Sequence, residues 1–202
     1  MSIKLKIIQG FTLGEVLITL GIIGIVAAMT LPGIIERYKR YEYSTRIKKF
    51  NTAFSQAILH IEAENDSALL WERDDSAFIR NMLLPKLKYA KAIQDYGAFK
   101  IFFFDGSMAG LATGACLDVV YDCNGEKRPN TYGVDRFDFL MCFTEATRKQ
   151  FFGNKNRFFG PQRHYPSRDA ALQGCKTNSI NCAGLLEQDG WEFKDDYPYI
   201  LR

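Results

Sequence analysis

The sequence predicts an α+β protein in which one long N-terminal helix, membrane-spanning in its first half and amphipathic in its second, packs on a C-terminal antiparallel β-sheet domain. Three observations predict it. Residues 11–35 form a nearly uninterrupted apolar run, long enough to cross a bilayer as a helix of about 37 Å. From Ile34 to Glu64 the apolar residues fall at helical spacing, and from Phe99 onward they follow the pattern of strands separated by Asn, Asp and Gly turns. The 202 residues therefore divide into a short basic leader (1–10), a membrane helix (11–35), its amphipathic continuation (36–64) and a globular α+β domain (65–202).

Composition excludes several function classes. The formal charge is +3, and without Lys4 and Lys6 it is 24 basic against 23 acidic residues. A near-neutral body gives no basis for nucleic-acid binding, which clustered Lys and Arg drive. An aromatic content of 14% argues for a packed domain and against disorder. The five cysteines contain no C-x-x-C pair and the chain has only two histidines, so the usual zinc spacings cannot be written. No G-x-S-x-G, H-E-x-x-H, phosphate loop or G-x-G-x-x-G is present, and the expectation is that the protein is not an enzyme.

The N-terminal stretch carries the most specific signal. MSIKLKIIQG is basic and ends in glycine, whereas an ordinary secretory signal is cut after its apolar region. Glu15 lies inside the apolar run, where a charge costs roughly 2.5 to 3.5 kcal/mol at the centre and less near an end, so it calls for a functional explanation. Gly21, Gly24 and Ala28 share one helical face, and small residues let membrane helices approach closely. Pro32 removes a backbone donor and predicts a kink or local break, with Gly33 adding freedom. Six basic residues between Arg37 and Lys49 follow the span. A count of positive charges alone would leave the downstream part in the cytoplasm, whereas cysteines confined to that part favour an oxidising compartment.

Gly10, Phe11, Thr12, Leu13 and Glu15, followed by the apolar helix and Pro32, resemble the N-terminal signal of type IV pilins and type II secretion pseudopilins. The resemblance covers roughly the first third of the chain. It implies a pilin-like fold, and cleavage between Gly10 and Phe11 by a membrane-embedded prepilin peptidase, which then N-methylates Phe11. The new amine at Phe11 lies within one turn of Glu15, and an opposite charge in a low-dielectric bundle offsets the desolvation of that carboxylate. In the family the partner amine comes from the neighbouring subunit. The implied partners are the peptidase, other pilin or pseudopilin subunits, the inner-membrane assembly platform and the bacterial inner membrane. The chain is then a single-pass protein with its C-terminal domain outside the cytoplasm, later part of a pilus or pseudopilus.

Downstream, Ile47, Phe50, Phe54, Ala57, Ile58 and Ile61 form the stripe that packs under a sheet. Asp75 to Lys91 suggests a shorter helix broken near Pro85. Phe99–Phe104 and Met108–Ala112 read as a hairpin closed at Asp105-Gly106, and Cys116–Tyr121 and Arg136–Phe143 as two further strands. The loop between these last strands holds Asp122, Asn124 and Asp135. These are hard oxygen donors that suit calcium, in a turn resembling one seen in pilin-like proteins, but Asn, Gly, Pro and Asp are equally what a long turn requires.

If Asp122 stands opposite Arg136, then Cys116 stands opposite Cys142, close enough for a disulfide. Cys116 and Cys123 cannot pair within one strand, because seven residues span roughly 23 Å. The resemblance implies a second disulfide, Cys175–Cys182, stapling the C-terminal region, and leaves Cys123 as the odd thiol. Thr144–Asp169 reads as an irregular surface segment, and the last residues as an ending pinned to the sheet. Two functions remain: a polymerising structural subunit, and a membrane-anchored ligand-binding or enzymatic domain with an uncleaved anchor.

Overall fold

The structure is a computed structural model and describes residues 10, 12–64, 75–95, 98–154 and 156–201. The chain divides into two units, Met1–Tyr38 and Lys39–Arg202, and helix α1 (Leu13–Glu64) contributes to both.

In the first unit every described residue from Thr12 to Ile35 is exposed except Ala27, which is half-buried. This part of α1 is long and apolar enough to cross a membrane. The local break expected at Pro32 is not formed, and the helix is continuous through it. Proline lacks the N–H that would bond the Ala28 carbonyl, so the cost there is one helical hydrogen bond.

In the second unit the expected stripe, Ile47, Phe50, Phe54, Ala57, Ile58 and Ile61, is the buried face of α1, and Tyr43 extends it. It packs on a six-stranded antiparallel sheet whose strands are neighbours in sequence order: β1 (Lys91–Asp95), β2 (Ala98–Phe102), β3 (Met108–Thr113), β4 (Leu117–Asp122), β5 (Arg136–Met141) and β6 (Phe159–Pro161). Odd-numbered residues of β2 to β5, among them Ile101, Leu111, Val119, Tyr121, Phe137 and Phe139, join the α1 stripe in one core. The period of two along each strand puts their neighbours on the opposite face. Phe50 anchors the contact, stacking on Tyr121 with ring centres 4.1 Å apart and meeting Phe139 edge-on at 5.2 Å. The β2–β3 hairpin turns as expected at Asp105 and Gly106. Gly106 has φ +82°, the left-handed region a three-residue hairpin loop needs.

Two further expectations are corrected. The segment from Asp75 is helical only to Lys86. A short α2 (Asp75–Phe78) passes into a π-helical turn (Ile79–Leu83) and a 3₁₀ turn (Leu84–Lys86). Lys91 then opens β1, held at the sheet edge by backbone pairing to β2. Thr144–Asp169 is not irregular throughout. It contains α3 (Glu145–Phe152), started by the Thr144 side chain accepting the Thr147 N–H and ended by Gly153 at φ +64°, and β6 beyond it. The C-terminal region continues as α4 (Arg168–Thr177), a 3₁₀ turn (Ser179–Asn181) and α5 (Cys182–Gln188).

The ending is pinned as expected. Trp191 stacks on Phe139, the Tyr197 hydroxyl donates to the Gly133 carbonyl at 2.7 Å, and Arg168 bridges Asp189 and Asp196. Because Phe54 is fully buried between α1 and the sheet, with Phe159 5.3 Å away, Phe54→Ala is expected to cost about 3 to 5 kcal/mol. Leu59→Ala, on the exposed side of the same helix, is expected to stay within about 0.5 kcal/mol. Thermal unfolding of both variants checks the difference, and equal losses would overturn this assignment of the packed face.

Candidate functional site

The start of α1 is built by a reciprocal cap that the sequence reading missed. The Thr12 N–H and hydroxyl both donate to Glu15 Oε2, at 2.9 and 2.8 Å, and the Glu15 N–H donates to the Thr12 hydroxyl at 3.2 Å. This is a capping box, T-x-x-E, which satisfies otherwise orphaned donors of the first turn. Its signal was legible in Thr12-Leu13-Gly14-Glu15. Glu15 Oε1 accepts no hydrogen bond among the described residues. Gly10 is described and exposed. Phe11, the expected cleavage and methylation residue, lies outside the described residues, as do residues 1–9.

The glycines of the apolar half of α1 have no packing partner among the described residues. At Gly14, Gly21, Gly24 and Gly33 an added methyl would meet nothing within 4 Å. A glycine inside a helix costs about 1 kcal/mol relative to alanine, so packing among the described residues gives no reason for four of them.

The structure brings Asp122, Asn124 and Asp135 together in the β4–β5 loop and uses them internally. Asp135 accepts the Asn130 and Thr131 backbone N–H groups and the Asn124 side-chain amide, at 2.9, 2.6 and 3.1 Å. Asp122 accepts the Asn124 N–H at 3.1 Å and pairs with Arg136 at 2.8 Å. All four carboxylate oxygens are thus engaged by N–H donors, and the positive charge beside Asp122 is a guanidinium. Calcium takes six to eight oxygen ligands, and among the described residues no group of three or more His, Cys, Asp or Glu forms a metal cluster. The arrangement braces a loop whose backbone needs special conformations, with Asn130, Gly125 and Gly133 all at positive φ. Burial pushes the Asp122 carboxyl up, with Arg136 opposing.

Both expected disulfides are present in the structure. Cys116–Cys142 lies on the face of the sheet away from α1, in a small cluster with Leu140 and Phe152. It follows from the β4–β5 register, in which Asp122 faces Arg136 and Leu117 faces Met141. Cys175–Cys182 links α4 to the start of α5 rather than closing an open loop. Cys123 is a buried free thiol, which burial holds protonated. His60 is exposed on α1.

One further acid was not foreseen. Asp138, on the face of β5 opposite the core, is pushed up to about 7 by burial and, secondarily, by Asp118, and its Oδ1 is buried without a hydrogen-bond partner among the described residues. Below about pH 4 this group is protonated in both folded and unfolded chains. Between about 4 and 7 the unfolded chain releases the proton first, so stability falls as pH rises through that window. The wild-type melting temperature is therefore expected to drop from pH 5 to pH 8. Asp138→Asn is expected to flatten that drop, and an undiminished drop in the variant would rule Asp138 out as its source.

A family model, DUF6613, described as a family of unknown function, matches residues 33–201. No curated protein and no solved structure matches the chain.

Proposed function

We propose that this chain, which belongs to the DUF6613 family of unknown function, is a structural subunit of a type IV pilus or type II secretion pseudopilus, polymerised through the first half of α1. The observation that carries the reading is the character of residues 12–35: an apolar helix with a glutamate in its first turn and glycines that no described residue of the chain explains. Glycine is favoured where two membrane helices must come close. The family match begins only at residue 33, so this part of the proposal rests on the N-terminal residues themselves.

In the proposed cycle, prepilin peptidase cuts after Gly10 and methylates Phe11. The chain waits in the bacterial inner membrane with its C-terminal domain outside the cytoplasm, and the assembly platform adds it to other subunits. Methylation keeps the positive charge of the amine. Glu15 Oε2 is occupied by its own cap and Oε1 is open among the described residues, so one carboxylate serves both the helix start and a neighbour's amine. No chemical step is assigned to the protein, and calcium has no part in the proposal. The alternative, a membrane-anchored domain with an uncleaved anchor, predicts an intact Met1.

Two measurements test this. Mass spectrometry of the mature protein from peptidase-positive cells is expected to find an N-methylated Phe11 terminus, and an intact Met1 refutes the proposal. Glu15→Gln keeps a cap-forming side chain and removes the charge, whereas Thr12→Ala keeps the charge and weakens the cap by about 1 kcal/mol. Glu15→Gln is expected to be cleaved yet excluded from fibres and Thr12→Ala to enter them. The reverse pattern would make Glu15 only a capping residue.

A further inference from the structure

A cavity of about 440 Å³ opens in the second unit between α1, the turn before β1 and the β2–β3 hairpin. Its volume falls within the roughly 300 to 1,000 Å³ of small-molecule sites. The floor is aromatic. Phe50 and Tyr121 stack with their planes 16° apart, and Phe103 stands 6.2 Å from Phe50. The space exists because α1 presents Ala53 and Ala57, at helical spacing from Phe50, where larger side chains would fill it.

The rim is cationic. Arg46, Lys49, Lys86 and Lys88 line the opening together with one acid, Asp105. Arg46 pairs with Glu42, Lys49 with Asp105 at 3.3 Å, and Lys86 with Glu64. The Asp105 carboxylate is further engaged by the Ser107 N–H and hydroxyl. Lys88 is exposed and has no acidic partner among the described residues, so among those residues it is the rim cation left unpaired. Phe104 adds a ring that is 78% exposed.

An aromatic floor under a cationic rim suits one chemical class. We propose that the cavity binds a small amphiphilic anion, a flat apolar body bearing one sulfonate, carboxylate or phosphate group. The body lies against the half-buried Phe103 ring and the edges of the buried Phe50 and Tyr121 rings that line the cavity, and the acid group faces the rim cations. This inference is independent of the assembly reading, because every residue it uses lies in the second unit.

The test measures naphthalene-2-sulfonate binding by equilibrium dialysis to the full chain in zwitterionic nanodiscs, with empty nanodiscs subtracted. 2-Naphthol provides the same body without the charge. Saturable one-to-one binding of the sulfonate is expected, about tenfold tighter than that of 2-naphthol. Lys88→Glu is expected to weaken the sulfonate roughly tenfold and leave 2-naphthol unchanged. Ala53→Leu, which fills the floor, is expected to weaken both, and Lys149→Glu on α3 neither, with near-ultraviolet circular dichroism reporting that each variant is folded. Absence of saturable sulfonate binding, or an unchanged sulfonate affinity in the folded Lys88→Glu variant, would overturn the proposal. So would equal binding of the charged and uncharged probes.

Discussion

The contact between the second half of α1 and the odd-numbered face of the sheet governs the rest of the globular unit. Phe50 and Phe54 sit one helical turn apart and meet rings from β4, β5 and β6. Fully burying one such side chain stabilises by about 1.5 to 3 kcal/mol, and a slip of one residue in any strand would send its apolar set to the wrong face. Register is therefore fixed by burial. Once β4 and β5 are locked with Asp122 opposite Arg136, the remaining features of that hairpin follow. Cys116 lies beside Cys142 on the far face, the intervening loop has fixed ends, and Asp122 has its counter-ion.

This dependence explains which parts were legible in the sequence. The α1 stripe, the β2–β3 hairpin and the β4–β5 register all bury one face against a partner, so the alternation of apolar and polar residues records them directly. The elements that were missed do not. β1 is an edge strand with the sequence KAIQD, joined by backbone hydrogen bonds and carrying little apolar content. β6 is Phe-Gly-Pro, two breakers in three residues, tolerable only at an edge. Helix α3 buries only Arg148 and Phe152, and no apolar stripe marks it. Its start at Thr144 and end at Gly153 are capping signals that a reading led by periodicity passes over.

At the β4–β5 loop the sequence located the residues and left open whether they hold an ion or build a turn. Asp122, Asn124 and Asp135 do converge, as expected of oxygen donors in one loop, but the donors around them are the loop's own N–H groups and Arg136. The anionic pair organises the backbone amides of a turn with several positive-φ residues. Asp138 was invisible for a related reason. Its neighbours on the face of the sheet away from α1 come from β4 through cross-strand register, and no local pattern announces a carboxyl that is half-buried beside another.

Glu15 joins the two halves of the proposed function. Viewed within the chain alone, it is an ordinary helix-starting residue whose carboxylate accepts from Thr12 through one oxygen. A cap of that kind needs no charge, because glutamine closes a capping box as well. A neutral residue would also avoid the desolvation of a carboxylate in a bilayer, so the choice of glutamate over glutamine is the feature that capping leaves unexplained. On the proposed assembly a cationic amine from another copy would account for it, since such a pair offsets burial that neither charge bears well alone. On the same proposal the glycines of the apolar half of α1, costly in an isolated helix, would become favourable when a second helix comes close enough to use the space they leave. Both features are expenses within one chain and gains between two, which is the physical content of reading this helix as an assembly element.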